Sequence, residues 1–272
     1  MKKRILSLIL VGAMAVMMIA GCGAKKEADG SAKTADGLAT EGKFVVGFDA
    51  NYPPYGYKDE NGEYTGFDLE MAQAVADLNG WELVKTPIDW DSKDMELDSS
   101  SIDCVWNGFT INGREDLYTW SVPYVDNSQV MIVSESSGIK TLADLADKTV
   151  GVQAASAALE LLEGDQKDLS DTFKALQTFP DYNNAFVELQ AGALDAVAMD
   201  IGVAQYQIKS RGEGFAIVEE TLNSEQYGVG VKLGNESLRD KINAGLEELL
   251  KNGTFDELAA KYELTDMTCL GK

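Results

Sequence analysis

Histidine is absent from the 272 residues of the sequence. Histidine is the commonest general base, the usual relay to a serine nucleophile and the commonest zinc ligand. Its absence therefore disfavours a hydrolase and a metalloenzyme. We predict no catalytic residues, no metal site and no cofactor for this chain.

Positive charge is also scarce, since 23 Lys and Arg face 45 Asp and Glu, which gives a formal net charge of −22. So acidic a surface repels phosphate groups, which argues against a nucleic acid partner and against a peripheral domain held on anionic lipid. The hydrophobic fraction of 45% and the charged fraction of 25% are those of an ordinary globular protein. At roughly 100–200 residues per domain, the length predicts one or two compact bodies.

Long apolar runs are few, and the first lies between Ile5 and Ala20, directly after three cationic residues. Its 16 residues are short for a membrane-spanning helix, which needs roughly 20, and its small terminal residues are typical of an export signal. Residues 19–22, Ile-Ala-Gly-Cys, resemble the lipobox of bacterial lipoproteins. The resemblance implies a signal peptide over residues 1–21 and a lipid on Cys22, hence an extracytoplasmic protein anchored to the cell membrane. A plain signal peptide with a chance cysteine is the alternative.

Cysteine is rare, because besides Cys22 the chain has only Cys104 and Cys269. In an oxidising compartment these two either pair as a disulfide or remain separate thiols. Residues 22–42 are mostly small or polar, with Leu38 as their one large apolar residue. We expect this segment to contribute nothing to a core and to form a flexible tether.

The folded part begins with an apolar run, residues 43–49, that suits a buried parallel strand. The pair Asn61-Gly62 predicts a hairpin rather than a calcium loop, because the glycine and glutamate positions of a calcium loop are not matched. A helix is predicted from Asp68 to residue 79. The predicted buried face of this helix consists of Met71, Ala72, Val75, Ala76 and Leu78.

A weak internal repeat divides the chain. The pattern Glu-Leu-x-x-x-x-Ile-Asp-Cys-Val at residues 96–105 recurs 92 positions later as Glu-Leu-x-x-x-x-Leu-Asp-Ala-Val. A second pattern, a strand that ends in a small-residue turn, is shared by residues 43–47 and 148–151. The repeat predicts two similar α/β lobes, with chance similarity of short apolar runs as the alternative.

Ligands of parallel sheets bind outside the carboxyl ends of the strands. The sequence therefore offers four strand exits as candidate parts of a site. These exits are residues 49–52, 107–114, 154–157 and 199–200.

Residues 66–71, Gly-Phe-Asp-Leu-Glu-Met, follow a Tyr-Pro-Pro-Tyr loop and resemble the signature of the solute-binding proteins, family 3, that serve bacterial amino-acid ABC transporters. The resemblance covers residues 43–265 and includes the segments 141–145, 194–200 and 227–230. It implies an α/β fold like that of periplasmic binding proteins. Each of the two lobes would be an open, mostly parallel sheet flanked by helices, with the ligand cleft between the lobes.

The resemblance also implies that two crossover strands join the lobes, near residues 123–128 and 222–227. The first lobe would then consist of residues 43–125 and 224–272, and the second of residues 126–223. The chain would return to its first lobe after completing the second.

A free α-amino acid is a zwitterion, so its pocket needs a donor fork for the carboxylate and a fixed anion for the ammonium. Arg114 supplies a fork, and in the family an Arg at this place grips the carboxylate. The backbone N–H groups of Ala155, Ser156 and Ala157 precede a predicted helix and add donors for the same carboxylate. Asp200 ends an apolar strand, where the family holds the ammonium. The alternatives are a surface charge for Arg114 and a helix N-cap for Asp200.

Recognition of the ligand's side chain is predicted at three residues by resemblance. Asp49 and Tyr52 line the pocket, and Trp90 falls where the family places an aromatic wall. An aromatic face holds either a cation or an apolar chain. Ordinary packing within a lobe is the alternative for Tyr52 and Trp90.

Three further candidates follow the predicted strand over residues 102–106. Asn107 is one of them, Gly108 lets the backbone approach a ligand, and Thr110 offers a hydroxyl. Phe109, between the last two, belongs either to the pocket or to the core.

These features predict a monomeric extracytoplasmic receptor that captures a free polar or basic amino acid by closing two lobes on it and delivers it to a membrane permease. Aspartate and glutamate are excluded as ligands, because Asp49 would repel them. One alternative is an enzyme of the same fold that acts on a small carboxylate. The other is a sensory surface lipoprotein without a permease.

Overall fold

The computed structural model of the chain describes residues 34–212 and 214–272. The predicted signal peptide, the predicted lipidation site Cys22 and residues 23–33 of the predicted tether lie outside the described residues. None of the helices in the described part is long and apolar enough to cross a membrane.

Short strands alternate with helices along the chain. The strands are β1 Lys43–Phe48, β2 Asn51–Tyr52, β3 Gly56–Lys58, β4 Tyr64–Thr65, β5 Glu82–Pro87, β6 Cys104–Val105, β7 Tyr118–Trp120, β8 Val125–Asn127, β9 Gln129–Ser134, β10 Thr149–Gln153, β11 Ala175–Phe179, β12 Ala196–Asp200, β13 Phe215–Ile217, β14 Glu225–Tyr227 and β15 Gly230–Lys232. The α-helices are α1 Phe67–Asn79, α2 Lys93–Asp98, α3 Ala157–Glu163, α4 Lys167–Ser170, α5 Tyr182–Gln190, α6 Ile201–Arg211, α7 Glu236–Lys251 and α8 Thr254–Lys261.

Each lobe is built on one five-stranded sheet. The first has the order β5-β1-β6-β15-β7, in which only β15 runs against the other strands. The second has the order β11-β10-β12-β9-β13, in which only β9 runs against the others. Because β15 comes from the C-terminal part of the chain, the first lobe is built from two segments. This architecture confirms the predicted two-lobe α/β fold.

The internal repeat has a packing reason. Gly47 lies in β1 and Gly151 in β10, the strand that holds the same place in the other sheet. A Cβ atom at Gly47 would lie 2.5 Å from Cδ1 of Ile102, and one at Gly151 would lie 2.5 Å from Cδ1 of Leu194. Each lobe thus uses a glycine in the second strand of its sheet, which lets the apolar side chain before the neighbouring parallel strand lie against it.

The chain passes from the first sheet to the second through β8 and returns through β14. These two strands pair antiparallel, with Glu225 opposite Asn127 and Tyr227 opposite Val125. They lie within the two ranges predicted for the crossovers. Because only these two short strands connect the two sheets here, the lobes can rotate against each other at this place.

The residues before β1 correct a prediction. Leu38 is fully buried in the core of the first lobe. The carbonyl of Gly37 accepts a hydrogen bond from Nδ2 of Asn235 at 3.0 Å, and Oδ2 of Asp36 accepts one from Nε1 of Trp81 at 3.3 Å. The prediction that residues up to 42 add nothing to a core is therefore wrong for residues 34–42, because one apolar anchor and hydrogen bonds to distant parts of the chain suffice to dock them.

The predicted hairpin is confirmed, since β3 and β4 pair antiparallel around Asn61-Gly62. The predicted helix is α1, but Leu78 is 50% exposed and the prediction that it lies on the buried face is wrong. It lies in the last turn, beyond the buried stretch that ends at Ala76. Cys104 and Cys269 are both free and buried, so the structure has separate thiols.

Gly66 precedes α1 with φ at 134° and ψ at 162°, a backbone conformation open essentially to glycine alone. A Cβ atom here would lie 2.1 Å from the carbonyl oxygen of Tyr55, a backbone atom that cannot rotate away. We expect Gly66→Ala to lower the free energy of unfolding in urea by about 3 kcal/mol or more. Gly62→Ala is the control, because Gly62 has φ at +84° but no atom lies within 4 Å of the place that an alanine methyl group would take. Its expected loss is about 1 kcal/mol, and equal losses would contradict the steric explanation.

Candidate binding site between the lobes

The predicted strand exits of both lobes meet around one small cavity. Residues of the first lobe line one wall and residues of the second lobe line the other. The lining consists of Tyr52, Trp90, Gly108, Thr110, Arg114, Gln153, Ser156, Ala157 and Asp200. All of these except Gln153 are predicted site residues.

Arg114 is only 4% exposed, which removes the alternative of a surface charge. Its Nη1 lies 3.5 Å from the carbonyl oxygen of Thr110, and its carbon Cζ lies 5.3 Å from the ring centre of Phe109. Its Nη2 donates to Oε1 of Glu160, in α3 of the second lobe, at 2.8 Å. A guanidinium has five N–H donors, so these bonds leave donors for a ligand carboxylate in the same cavity.

Asp200 ends β12 in the second lobe and is 4% exposed. It occupies the N-cap position of α6, but its side chain makes no capping hydrogen bond. Instead, Oδ1 accepts from the hydroxyl of Tyr227 at 2.6 Å, from Nε2 of Gln129 at 2.7 Å and from Nδ2 of Asn127 at 2.8 Å. The carboxylate is thus oriented by the crossover strands and by β9 rather than by its helix.

The pKa of Asp200 is raised to about 6, mainly by burial and secondly by the nearby carboxylate of Glu225. A buried anion of this kind gains most from a cation that enters its site. The cavity therefore offers a guanidinium from one lobe and a carboxylate from the other, which is the charge pattern that complements a zwitterion.

Gly108 brings backbone close to aromatic rings. Its φ is +54°, and a Cβ atom would lie 2.9 Å from the ring of Tyr52 and 3.1 Å from the ring of Tyr227. Its N–H donates to Oδ2 of Asp68, a fully buried residue of α1, at 2.5 Å. This position therefore requires glycine both for its conformation and for space.

The aromatic residues divide between cavity and core. Tyr52 lines the cavity and its ring centre lies 5.9 Å from that of Tyr182, in the second lobe. Trp90 lines the cavity and packs edge-on against Phe109 at 5.5 Å. Phe109 is fully buried among Trp90, Tyr118 and Trp120 and does not line the cavity, so it belongs to the core.

Three predicted residues do not line this cavity. Asn107 lies behind the lining, where its Oδ1 accepts from the backbone N–H of Asp49 at 2.5 Å. Ala155 has φ at 53°, and its carbonyl oxygen accepts from Nζ of Lys93 at 3.3 Å. Asp49 lies one step further out, in a wider neighbouring cavity that Trp90 also lines.

That neighbouring cavity is acidic. Its carboxylates belong to Asp49, Asp89, Glu96 and Asp181. Burial raises the pKa of Asp49 to about 6. Hydrogen bonds from Asn51 and Gln153 lower this pKa, but by less than burial raises it. Asp181 and Asp89 raise the pKa further by repulsion. An anionic group entering this cavity would meet the same repulsion.

The family model of the bacterial extracellular solute-binding proteins, family 3, matches residues 44–265. This chain belongs to that family. The match covers both sheets, both crossover strands and every residue that lines the cavity.

Three relatives of this family 3 protein bind different amino acids. The L-cystine-binding protein TcyJ of Escherichia coli (strain K12) is 32% identical over 266 residues, which are 95% of this chain and 96% of that protein. The solved structure of an ancestral arginine-binding protein bound to arginine is 38% identical, with a TM-score of 0.76 over 82% of this chain and 98% of that one. An ABC uptake transporter substrate-binding protein from Streptococcus pneumoniae, solved with bound histidine, is 31% identical, with a TM-score of 0.77 over 81% of this chain and 92% of that one.

Sequence reasoning missed several polar residues of this family 3 site. Gln153 ends β10 and donates to Oδ2 of Asp49 at 2.7 Å across the lobes. Buried Lys93 reaches from α2 to the second lobe at Ala155. Ser156 was predicted only for its backbone, yet its hydroxyl caps α3 by accepting from the N–H of Leu159 at 3.1 Å. Gln153 had a signal in the sequence, as the last residue of a strand next to a predicted exit. Ser156 had one too, because a serine just before a predicted helix is typical of an N-cap.

Proposed function

We propose that this family 3 protein is the extracytoplasmic substrate-binding component of an amino-acid ABC transporter. The observation that carries the proposal is the pair Arg114 and Asp200, which are both buried, lie in different lobes and line one cavity. Arg114 would bind the ligand's carboxylate and Asp200 its ammonium. The cystine-, arginine- and histidine-binding relatives support this class of ligand and favour binding over catalysis.

Closure of the lobes is the proposed binding mechanism. Contacts cross between the lobes at Arg114 with Glu160, at Gln153 with Asp49 and at Lys93 with Ala155. A ligand that touches both walls of the cavity gains all of its contacts only when the lobes are together. It would therefore shift the equilibrium towards the closed state by the difference between its affinities for the two states.

We propose a polar or basic amino acid as the ligand. Trp90 lines both cavities, so the ligand's side chain would run along its ring from the small cavity towards Asp49. The carboxylates of Asp49, Asp89 and Asp181 would repel an acidic side chain and accept hydrogen bonds from a polar or cationic one.

Thermal unfolding in the presence of the 20 standard amino acids and L-cystine tests the proposed function. A ligand that binds only the folded protein raises Tm by mass action, so we expect a rise with at least one polar or basic amino acid. Aspartate and glutamate should give none. Asp49→Asn is the matched variant, because it removes the charge and keeps the shape of the side chain. In this variant the rises in Tm that glutamine and glutamate cause should differ less than in the unmodified protein. The largest shift with aspartate or glutamate, or no shift with any amino acid, would contradict the proposal.

The remaining parts of the proposal concern location and partners. The mature protein would be a monomer anchored outside the cytoplasm by a lipid on Cys22, and it would deliver its ligand to a membrane permease. Family membership supports the extracytoplasmic location and the transporter. The lipobox-like sequence at residues 19–22 supports the anchor.

A further inference from the structure

Asp200 shares its hydrogen-bond donors with a second buried carboxylate, Glu225, which is 3% exposed. Nδ2 of Asn127 donates to Oδ1 of Asp200 at 2.8 Å and to Oε1 of Glu225 at 2.7 Å. Nε2 of Gln129 makes the same two bonds at 2.7 and 2.8 Å. Because one nitrogen lies this close to both oxygens, at most about 5.5 Å, the sum of the two distances, separates them.

The groups bonded to this pair supply hydrogen bonds and no positive charge. Among the residues that the structure describes, the salt bridges include neither Asp200 nor Glu225. Glu225 also accepts from the hydroxyl of Thr110 at 2.9 Å and from Nδ2 of Asn223 at 2.8 Å. The titratable groups that face the pair are the phenols of Tyr52, Tyr55, Tyr182 and Tyr227. Of the described residues that line the same cavity as Asp200, the one cation is the guanidinium of Arg114, which is paired with Glu160.

Backbone pairing holds the two carboxylates together independently of lobe closure. Asp200 in β12 lies opposite Gln129 in β9, within the second sheet. Glu225 in β14 lies opposite Asn127 in β8, within the crossover pair. These ladders lie within the second sheet and within the crossover pair and include no contact across the cleft, so we expect the pair to persist when the lobes separate.

We propose that Asp200 and Glu225 act as one unit, which holds one proton while the site is empty and exchanges it for the ligand's ammonium group. The inference rests on the proposed function, because it takes the ammonium to bind at Asp200. Glu225 is then a positioning residue, which acts on the ligand through Asp200 and through the two amides that they share.

The physical reason is the cost of two buried like charges. Two carboxylates this close, with hydrogen bonds but without a cation, cannot both be ionised cheaply, so one proton stays with the pair at a pH where exposed carboxyl groups are ionised. The pKa of Asp200, raised to about 6, agrees with this arrangement. An arriving ammonium group supplies a positive charge beside the pair, lowers the pKa of Asp200 and releases the proton to the solvent.

The direction of the pH dependence follows. Above about pH 7 Asp200 is already deprotonated, and binding should release almost no proton. Near pH 6 it should release about half a proton per ligand, because half of the empty sites are then protonated. As the pH falls further, the proton competes with the ammonium, so the affinity should fall.

The test of the empty protein is a carboxyl titration by 13C NMR from about pH 8 to pH 4, with the two resonances assigned through Glu225→Gln and Asp200→Asn. We expect the carboxyl group of Asp200 to titrate near pH 6 in the unmodified protein. In Glu225→Gln this titration should move at least one pH unit lower, since glutamine keeps an acceptor oxygen but removes the charge. Glu219→Gln is the matched control, because Glu219 is exposed and lies shortly before Glu225 in the chain. This variant should leave the midpoint of the titration unchanged. Full ionisation of both carboxyl groups down to pH 5 would overturn the proposal.

The test of exchange is calorimetric titration with L-arginine and L-glutamine near pH 6, in two buffers of different ionisation enthalpy. The proton release should be smaller in Glu225→Gln than in the unmodified protein or in Glu219→Gln. Asp49 also has a pKa near 6, and the comparison between variants separates its contribution from that of the pair. Equal proton release in the three proteins would overturn the exchange. If no amino acid binds, the proposed function fails, while the carboxyl titration still decides whether the pair holds a proton.

Discussion

Arg114→Ala and Asp200→Ala are each expected to weaken amino-acid binding by roughly 30-fold to several thousand-fold, which corresponds to about 2–5 kcal/mol. Each substitution removes one partner of a buried, charge-assisted contact and leaves the opposite charge of the ligand without a partner in a desolvated cavity. Calorimetric titration with an amino acid that binds the unmodified protein measures the loss.

Two observations separate this loss of contact from a loss of folding. Both variants should melt normally without ligand, because Glu160, the partner of Arg114, is half-exposed and can be hydrated, and because Asp200 is costly to bury as an anion. Arg239→Ala and Asp256→Ala remove the same charges away from the cleft, in α7 and α8, and should bind normally. Unchanged affinity in both cavity variants would contradict the proposed clamp.

Cys22→Ser is expected to abolish membrane attachment of the mature protein. The substitution removes the only atom that would carry the lipid, and none of the described helices can span a membrane. The variant should appear in the soluble fraction or accumulate as uncleaved precursor, as measured by fractionation and by the mass of the N-terminal peptide. Cys269→Ser, at a free thiol of the folded body, is the matched control and should remain attached. A cleaved Cys22→Ser protein that still sediments with membranes would show a different anchor.

The two-lobe fold was predictable because its signal is local and occurs twice. Gly47 and Gly151 are placed by the same packing need in two sheets, so the sequence repeats around them. The docking of residues 34–42 was not predictable. The burial of Leu38 depends on residues such as Asn235 that lie far along the chain, and a composition of small and polar residues does not reveal such partners.

The two charged residues of the site, Arg114 and Asp200, were predictable for a similar reason. Arg114 and Asp200 follow apolar strands, and the exits of parallel strands converge in space. Glu225 and Gln129 escaped prediction, because they lie in one crossover strand and just after the other, where no periodicity marks which side chains face inward. Asn107 was assigned to the ligand from its position, whereas its amide oxygen binds the backbone of Asp49.

Calorimetric titration with an amino acid and with two analogues that each lack one charge tests the zwitterion clamp most directly. The titrants are the amino acid that gives the largest thermal shift, the amine that remains after removal of its carboxylate, and the acid that remains after removal of its amino group. We expect the amino acid to bind and each analogue to bind at least about 30-fold more weakly, because each leaves Arg114 or Asp200 buried without its partner. An analogue that binds as tightly as the amino acid would contradict the account.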